Sequence, residues 1–257
     1  MHDARSTRHG LEHRAFTIRP ALFHELPLIA KLLTKAFWND ALFGDIIHPY
    51  RREFPEDNEL YWLRRARVNW WDWSLIYLVS VVTDKGGEEV ITGVALWARI
   101  GDEARRTNMK LGSRDPRRLL KPLTQAKTNA EARTWPNRAA SAEHEDIIER
   151  SYHYLDDMWT GKRAESWYLE SLAVDPNFHK QGQGRALVRW GFEQAEKEGV
   201  CVSVISGDGK EDFYKRCGFE VQDGWSGMGE GNPLAIAPGG LMFWKDVKID
   251  EVASKND

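Results

Sequence analysis

Residues 167–220 read WYLESLAVDPNFHKQGQGRALVRWGFEQAEKEGVCVSVISGDGKEDFYKRCGFE, and the reading of this stretch decides the fold. Trp167 to Val174 is an apolar run that reads as a strand and stops at Asp175-Pro176. A Gly-rich turn, Gln181-Gly182-Gln183-Gly184, opens a helix that runs to Glu198 and closes at Gly199. Cys201 to Ile205 is a buried strand. Strand, helix and strand in this order predict two parallel strands joined by a right-handed crossover. A short helix, Lys210 to Arg216, stops at Gly218, and Phe219-Glu220-Val221 begins another strand.

Upstream, Phe16 to Arg19 reads as a strand ending at Pro20. Leu26, Ile29, Ala30, Leu33 and Phe37 have the spacing of an amphipathic helix, with Pro27 tolerable in its first turn. A second helix is expected from about Glu56 to Asn69. Leu75 to Val82 and Val90 to Ala98 flank the turn residues Asp84-Lys85-Gly86-Gly87 and predict an antiparallel hairpin. Residues 101–165 break this rhythm. Between Arg105 and Arg138 there are ten Lys/Arg against two acids, punctuated by Pro116, Pro122 and Pro136. An acidic helix is expected from Ala142 to Trp159. Downstream, a Gly-rich loop from Gly224 to Gly240 leads to a last strand, Leu241 to Trp244. The expected organisation is a mobile leader at 1–14, one domain at 15–247 with an insertion at about 101–165, and a tail at 248–257.

Composition narrows the function classes. The 257 residues are 42% hydrophobic and 29% charged, which is ordinary for a globular chain. A net charge of −3 gives no global attraction to nucleic acid or to a membrane surface. No apolar run approaches the roughly 18 residues of a membrane helix. The first thirteen residues carry four charged side chains and three His, without the apolar stretch of a signal peptide. Two cysteines, Cys201 and Cys217, exclude a disulfide scaffold or a four-cysteine zinc site, and no His, Asp or Glu pair has convincing metal-ligand spacing. These features point to a soluble, cytoplasmic protein.

The turn at 181–186 has the form of an anion site. The first turn of a helix leaves backbone N–H groups unpartnered, its dipole favours negative charge, and glycine lets a diphosphate approach closely. A dinucleotide fingerprint would want a third glycine where Leu187 stands, and a nucleotide P-loop would want Gly-Lys-Ser/Thr, which is absent. A simple tight turn remains the bland alternative.

Taken in order, Val174-Asp175-Pro176, the pattern Gln-x-x-Gly-x-Ala at Gln181, Gly184 and Ala186, and Phe213-Tyr214-x-x-Cys217-Gly218-Phe219 resemble the GNAT N-acetyltransferase superfamily. The resemblance is strong over about 167–220 and looser upstream. It implies an α/β fold: a mixed, mostly antiparallel sheet, a parallel pair splayed around the cofactor, and helices on both faces. It implies acetyl-CoA as co-substrate and no metal. The diphosphate would lie on the N–H groups of Gln181, Gly182, Gln183, Gly184, Arg185 and Ala186, with Lys180 and Arg185 supplying charge. The pantetheine arm would pair with the backbone of Leu172, Ala173 and Val174. Many relatives carry an Asn ahead of the short helix; this chain has Ser206-Gly207-Asp208-Gly209 there, so Ser206 or Asp208 would substitute, or nothing would.

Acetyl transfer to an amine needs a base, a polarised carbonyl and a proton for the departing thiolate. Tyr214 is the candidate acid, with core packing beside Phe213 as its alternative reading. Glu170, eleven residues before Gln181 in an apolar strand, is the candidate base, with an outward-facing Glu, a structural ion pair or ordered water as the base as alternatives. Trp62, Trp70, Trp71 and Trp73 fall where the family lines its acceptor pocket, although Trp at helical spacing is more often core. The expected reaction is acetylation of a small-molecule primary amine. Peptide or protein lysine acetylation and a non-catalytic acetyl-CoA-binding module are the alternatives. Neither a nucleic-acid nor a membrane partner is expected. A homodimer is open, through the Gly-rich tail region and last strand. The insertion would be a lid, an oligomer contact or a flap.

Overall fold

The computed structural model describes residues 15–102 and 114–247. The leader expected at 1–14 and the tail expected at 248–257 lie outside the described residues. In chain order the elements are β1 (Phe16–Pro20), α1 (Leu26–Ala36), α2 (Pro55–Trp70), β2 (Leu75–Thr83), β3 (Glu89–Ile100), α3 (Arg117–Thr134), α4 (Ile147–Leu155), β4 (Ser166–Val174), α5 (Gln183–Glu198), β5 (Cys201–Gly207), α6 (Glu211–Cys217), β6 (Val221–Trp225) and β7 (Gly239–Lys245).

The strands form one sheet in the order β1-β2-β3-β4-β5-β7-β6. β4 and β5 are parallel and every other neighbouring pair is antiparallel. β1 is an edge strand, which is why Pro20 can end it without breaking a ladder on both sides. Val94 to Trp97 on β3 are all buried, because helices cover both faces of the sheet there.

On one face Leu26, Ile29 and Leu33 of α1 and Trp62 and Ala66 of α2 pack against Val79, Val94, Leu96 and Ala173. On the other, Leu187, Val188 and Ala195 of α5 and Tyr214 of α6 pack against Trp97, Leu169, Val204 and Phe243. Gly191 lets α5 settle on the Trp97 ring; a Cβ there would stand 2.3 Å from it. Trp62 is a core residue stacked on Phe37 at 5.2 Å, in keeping with the structural reading of the early tryptophans.

Inside 101–165 one element was not expected and one expectation needs correction. The proline-punctuated basic stretch contains an 18-residue helix, α3. Pro116 sits at its N-cap, where no N–H is needed, and the helix absorbs the bond that Pro122 cannot donate. The acidic helix is shorter than Ala142–Trp159: Ser141 to Asp146 form hydrogen-bonded turns first, and α4 gives way to a 3-10 turn at Asp156–Met158.

This segment is fastened to α2 and to the turn before it. The Arg64 guanidinium donates to the Trp135 carbonyl at 2.8 Å, and Arg138 pairs with Asp57 at 2.7 Å. The buried His48 bonds the Phe43 carbonyl through Nδ1 and the Asn137 amide through Nε2. At the far end of the sheet, buried Arg99 of β3 pairs with Glu165 at 2.8 Å and Glu198 at 2.6 Å, joining the start of β4 to the end of α5.

Candidate active site

The parallel ladder between β4 and β5 runs from Ser166↔Cys201 to Leu169↔Val204 and ends there. Beyond that point β4 stays paired to β3 through Ser171 to Val174, and β5 stays paired to β7 through Ile205 and Gly207. The two strands therefore part, and each turns an unpaired backbone edge toward the gap. Such an edge offers N–H and C=O groups to any ligand that carries amides. Leu172, Ala173 and Val174 lie on it. His179 is exposed, and its Nε2 bonds the Val174 carbonyl at 2.9 Å.

The turn into α5 lies at the same end of the gap. Asp175 caps a 3-10 turn and pairs with Lys35 of α1 at 2.8 Å. Lys180 and Gly182 follow with φ of 62° and 88°. Lys180 is the one non-glycine residue with positive φ among the described residues, and strain of this kind is characteristic of functional turns. A Cβ on Gly182 would meet nothing within 4 Å, so the turn opens outward.

Gly184 has a packing reason as well, since a Cβ there would press on Phe213 at 3.3 Å. The Gln183 side chain is buried and accepts a hydrogen bond from Thr92 at 2.8 Å, anchoring the helix start to β3 and leaving its main-chain N–H for the turn. Gln183 Nε2 and Gln181 Oε1 are buried without partners. Lys180 and Arg185 are exposed. A free strand edge, a helix N-terminus and unpaired polar atoms beside it fit a ligand with an amide arm and a diphosphate. Ser206, at the end of β5, is buried, with its hydroxyl donating to the Gly207 carbonyl at 2.9 Å.

Glu170 stands where β4 begins to leave β5, and it is a β-bulge. Trp97 faces Leu169 and Leu96 faces Ser171, so Glu170 has no opposite residue on β3. A bulge re-aims a side chain, and the strand's alternation alone does not reveal it. The half-buried carboxyl lies in the field of Arg65 on α2, Asp72, and Glu149 on α4. Burial pushes its pKa above the ordinary carboxylate value, and Arg65 opposes that shift.

Tyr214 is buried, edge-on to Phe213 at 5.2 Å and to Phe219 at 5.8 Å. Burial raises its phenol far above the ordinary value, so it holds its proton at neutral pH. Tyr168 is likewise raised by burial, with Glu170, Tyr152 and Tyr214 contributing.

The sequence reading missed Arg65, Tyr152, Tyr168 and Asp40. Asp40 caps the turn at Leu42 and Phe43 through Oδ1, while its Oδ2 lies 3.5 Å from where a Cβ of Gly207 would be. Its carboxyl is raised by burial. Its capping role was readable from an Asp before a helical turn, but its approach to the end of β5 was not.

Residues 141–221, which span β4, α5, β5 and α6, match the family model described as acetyltransferase (GNAT) domain. Over these residues the chain is similar to GNAT acetyltransferases. A fungal relative from Stachybotrys chartarum, named acetyltransferase, is 23% identical over 214 residues, 80% of each chain. Among solved structures, one described as histone acetyltransferase HPA2 and related acetyltransferase, from Corynebacterium glutamicum, superposes with a TM-score of 0.55 at 19% identity, covering 93% of this chain and 99% of that one. The apo form of an agmatine N-acetyltransferase mutant superposes with a TM-score of 0.50 at 12% identity, covering 90% and 99%. At these identities the superpositions speak for the GNAT fold. The matched segment holds both the parting strands and the turn into α5. No helix among the described residues is long and apolar enough to cross a membrane.

Proposed function

We propose that this chain is a GNAT enzyme that transfers acetyl from acetyl-CoA directly to a primary amine of a small molecule. The observation that carries the reading is the end of the parallel ladder at Leu169 and Val204, directly beside the first turn of α5. The β4 edge at Leu172 to Val174, which β5 has left and where, among the described residues, only the Val174 carbonyl has a side-chain partner, His179, matches the peptide-like amides of pantetheine. The N–H groups of Gln181 to Arg185 match the diphosphate, with the charges of Lys180 and Arg185 alongside; the Ala186 N–H expected to join them is instead held by the Gly182 carbonyl at 3.0 Å, as the first intrahelical bond of α5. Acetyl-CoA, when bound, supplies the acyl group as an activated thioester.

In this reading Glu170 takes the proton of the incoming ammonium. A carboxyl raised by burial is a better base near neutral pH than an ordinary one, and the bulge at Glu170 lies where β4 parts from β5. The Tyr214 hydroxyl, kept protonated by burial, donates to the departing sulfur. Asp40 orders the turn that closes over the end of β5. The small-amine class is supported by a structural neighbour named for acetylating agmatine.

The test is thiol release from acetyl-CoA across simple amines, polyamines, amino acids, aminoglycosides and peptides. The expected result is turnover with small primary amines. Tyr214→Phe should lower kcat by roughly 10- to 100-fold with the KM for acetyl-CoA little changed. Turnover confined to peptides would replace the acceptor class with protein lysine, and CoA binding without thiol release across the panel would make the chain a binding module.

A further inference from the structure

The Gly-rich turn into α5 is fastened from outside, by one residue of the hairpin. None of the main-chain N–H groups from Lys180 to Arg185 donates to a main-chain carbonyl among the described residues. The positive φ of Lys180 adds strain to the same stretch. A strained turn without bonds of its own keeps its shape only where its surroundings over-determine it.

Thr92 of β3 supplies the fastening. Val81 of β2 faces Ile91 and Ser80 faces Gly93, so Thr92 has no opposite residue on β2 and is a β-bulge. A bulge re-aims the backbone and side chain it carries. The Thr92 carbonyl accepts the Asp175 N–H at 2.8 Å, where the chain leaves β4. The fully buried Thr92 hydroxyl donates to Gln183 Oε1 at 2.8 Å, where the chain enters α5, with the Ser80 carbonyl as a longer second acceptor at 3.2 Å. One residue thus fixes both ends of the loop 175–183. The first half of that loop has further support, since the Asp175 carboxylate accepts the Asn177 N–H at 2.9 Å and pairs with Lys35. At the second end, the Gln183 amide has no other hydrogen bond among the described residues, and its Nε2 is buried and unpaired.

We infer that Thr92 is a positioning residue for the coenzyme: through Gln183 it fixes how the N–H groups of Gln181 to Arg185 are presented, and with them the affinity for a diphosphate. Thr92 itself lies under the turn, in the sheet, and touches no part of the ligand. The inference rests on the reading that this turn holds the coenzyme, and the two are separable by experiment.

Thr92→Val keeps the branched shape and removes the hydroxyl, while Thr92→Ser keeps the hydroxyl. By calorimetry, Thr92→Val should raise the Kd for CoA about tenfold, and Thr92→Ser should stay within about twofold of the parent. Gln183→Met removes the same bond from the other side and should weaken CoA by a similar factor. The double variant Thr92→Val with Gln183→Met should bind no more weakly than Gln183→Met alone, because both changes delete one interaction. S-acetylpantetheine carries the thioester without the diphosphate, so its kcat/KM should be the same in Thr92→Val as in the parent, while kcat/KM for acetyl-CoA falls with the binding.

CoA bound by Thr92→Val as tightly as by the parent, an equal loss in Thr92→Ser, additive losses in the double variant, or an equal loss for S-acetylpantetheine would overturn the inference and leave the coenzyme site in place. A parent protein that gives no heat with CoA would overturn both.

Discussion

Glu170→Gln is expected to lower kcat about 100-fold and to abolish the acidic limb of the pH profile, with the Kd for CoA unchanged. The amide is nearly isosteric and hydrogen-bonds, so the fold around it should persist. What it lacks is the capacity to take a proton. The direction of the pH dependence follows from the burial of this carboxyl, whose pKa is raised; activity should rise as pH climbs through that raised value and level off above it. The rates of parent and variant should therefore converge at low pH, where the parent carboxyl is protonated too. Stopped kinetics from pH 5 to 9 with a saturating amine check this. A full rate with an unchanged profile would hand the proton to ordered water and leave Glu170 a structural bulge.

The largest effect on stability belongs to a residue far from the gap. Arg99→Ala should cost roughly 3–5 kcal/mol and lower Tm on the order of 10 °C. Arg99 is 1% exposed, and its guanidinium is shared between Glu165 and Glu198. Glu198 is also in hydrogen-bond range of Trp167 Nε1 at 3.3 Å, and Glu165 accepts from the Asp102 main chain at 2.6 Å. Removing the cation leaves two carboxylates facing each other with little solvent, and most of the cost is theirs. The triple replacement Arg99→Met, Glu165→Gln and Glu198→Gln should therefore recover a good part of the loss, since no lone buried charge remains. Thermal unfolding of both variants decides it; a triple variant as unstable as Arg99→Ala would place the cost in packing.

What the sequence made legible was local. Trp167 to Arg216 read correctly because strand, glycine turn, helix and strand each carry their own short-range signals, and a right-handed crossover then demands the parallel pair, whereas the strand expected from Phe219 begins only at Val221. The hairpin at Leu75 to Ala98 followed from its turn residues in the same way. α3 was hidden because prolines at Pro116 and Pro122 look like breaks, although one sits at a cap and the helix absorbs the other. The bulge at Glu170 has no local signature; it exists only in the register of β4 against β3. Arg65, Asp40 and Arg99 were missed because their partners lie tens of residues away, at Glu149, Gly207 and Glu198. Gln183 was counted for its place in the turn, while its side chain turned out to be an anchor onto Thr92.

The central claim is that the unpaired edge of β4 and the first turn of α5 hold the coenzyme together. Amide hydrogen exchange with and without CoA tests it most directly, because it reads main-chain N–H groups one segment at a time. The account predicts new protection concentrated in residues 170–174 and 181–186. Saturating CoA that protects another face, or leaves both segments exchanging as in the free protein, would contradict it.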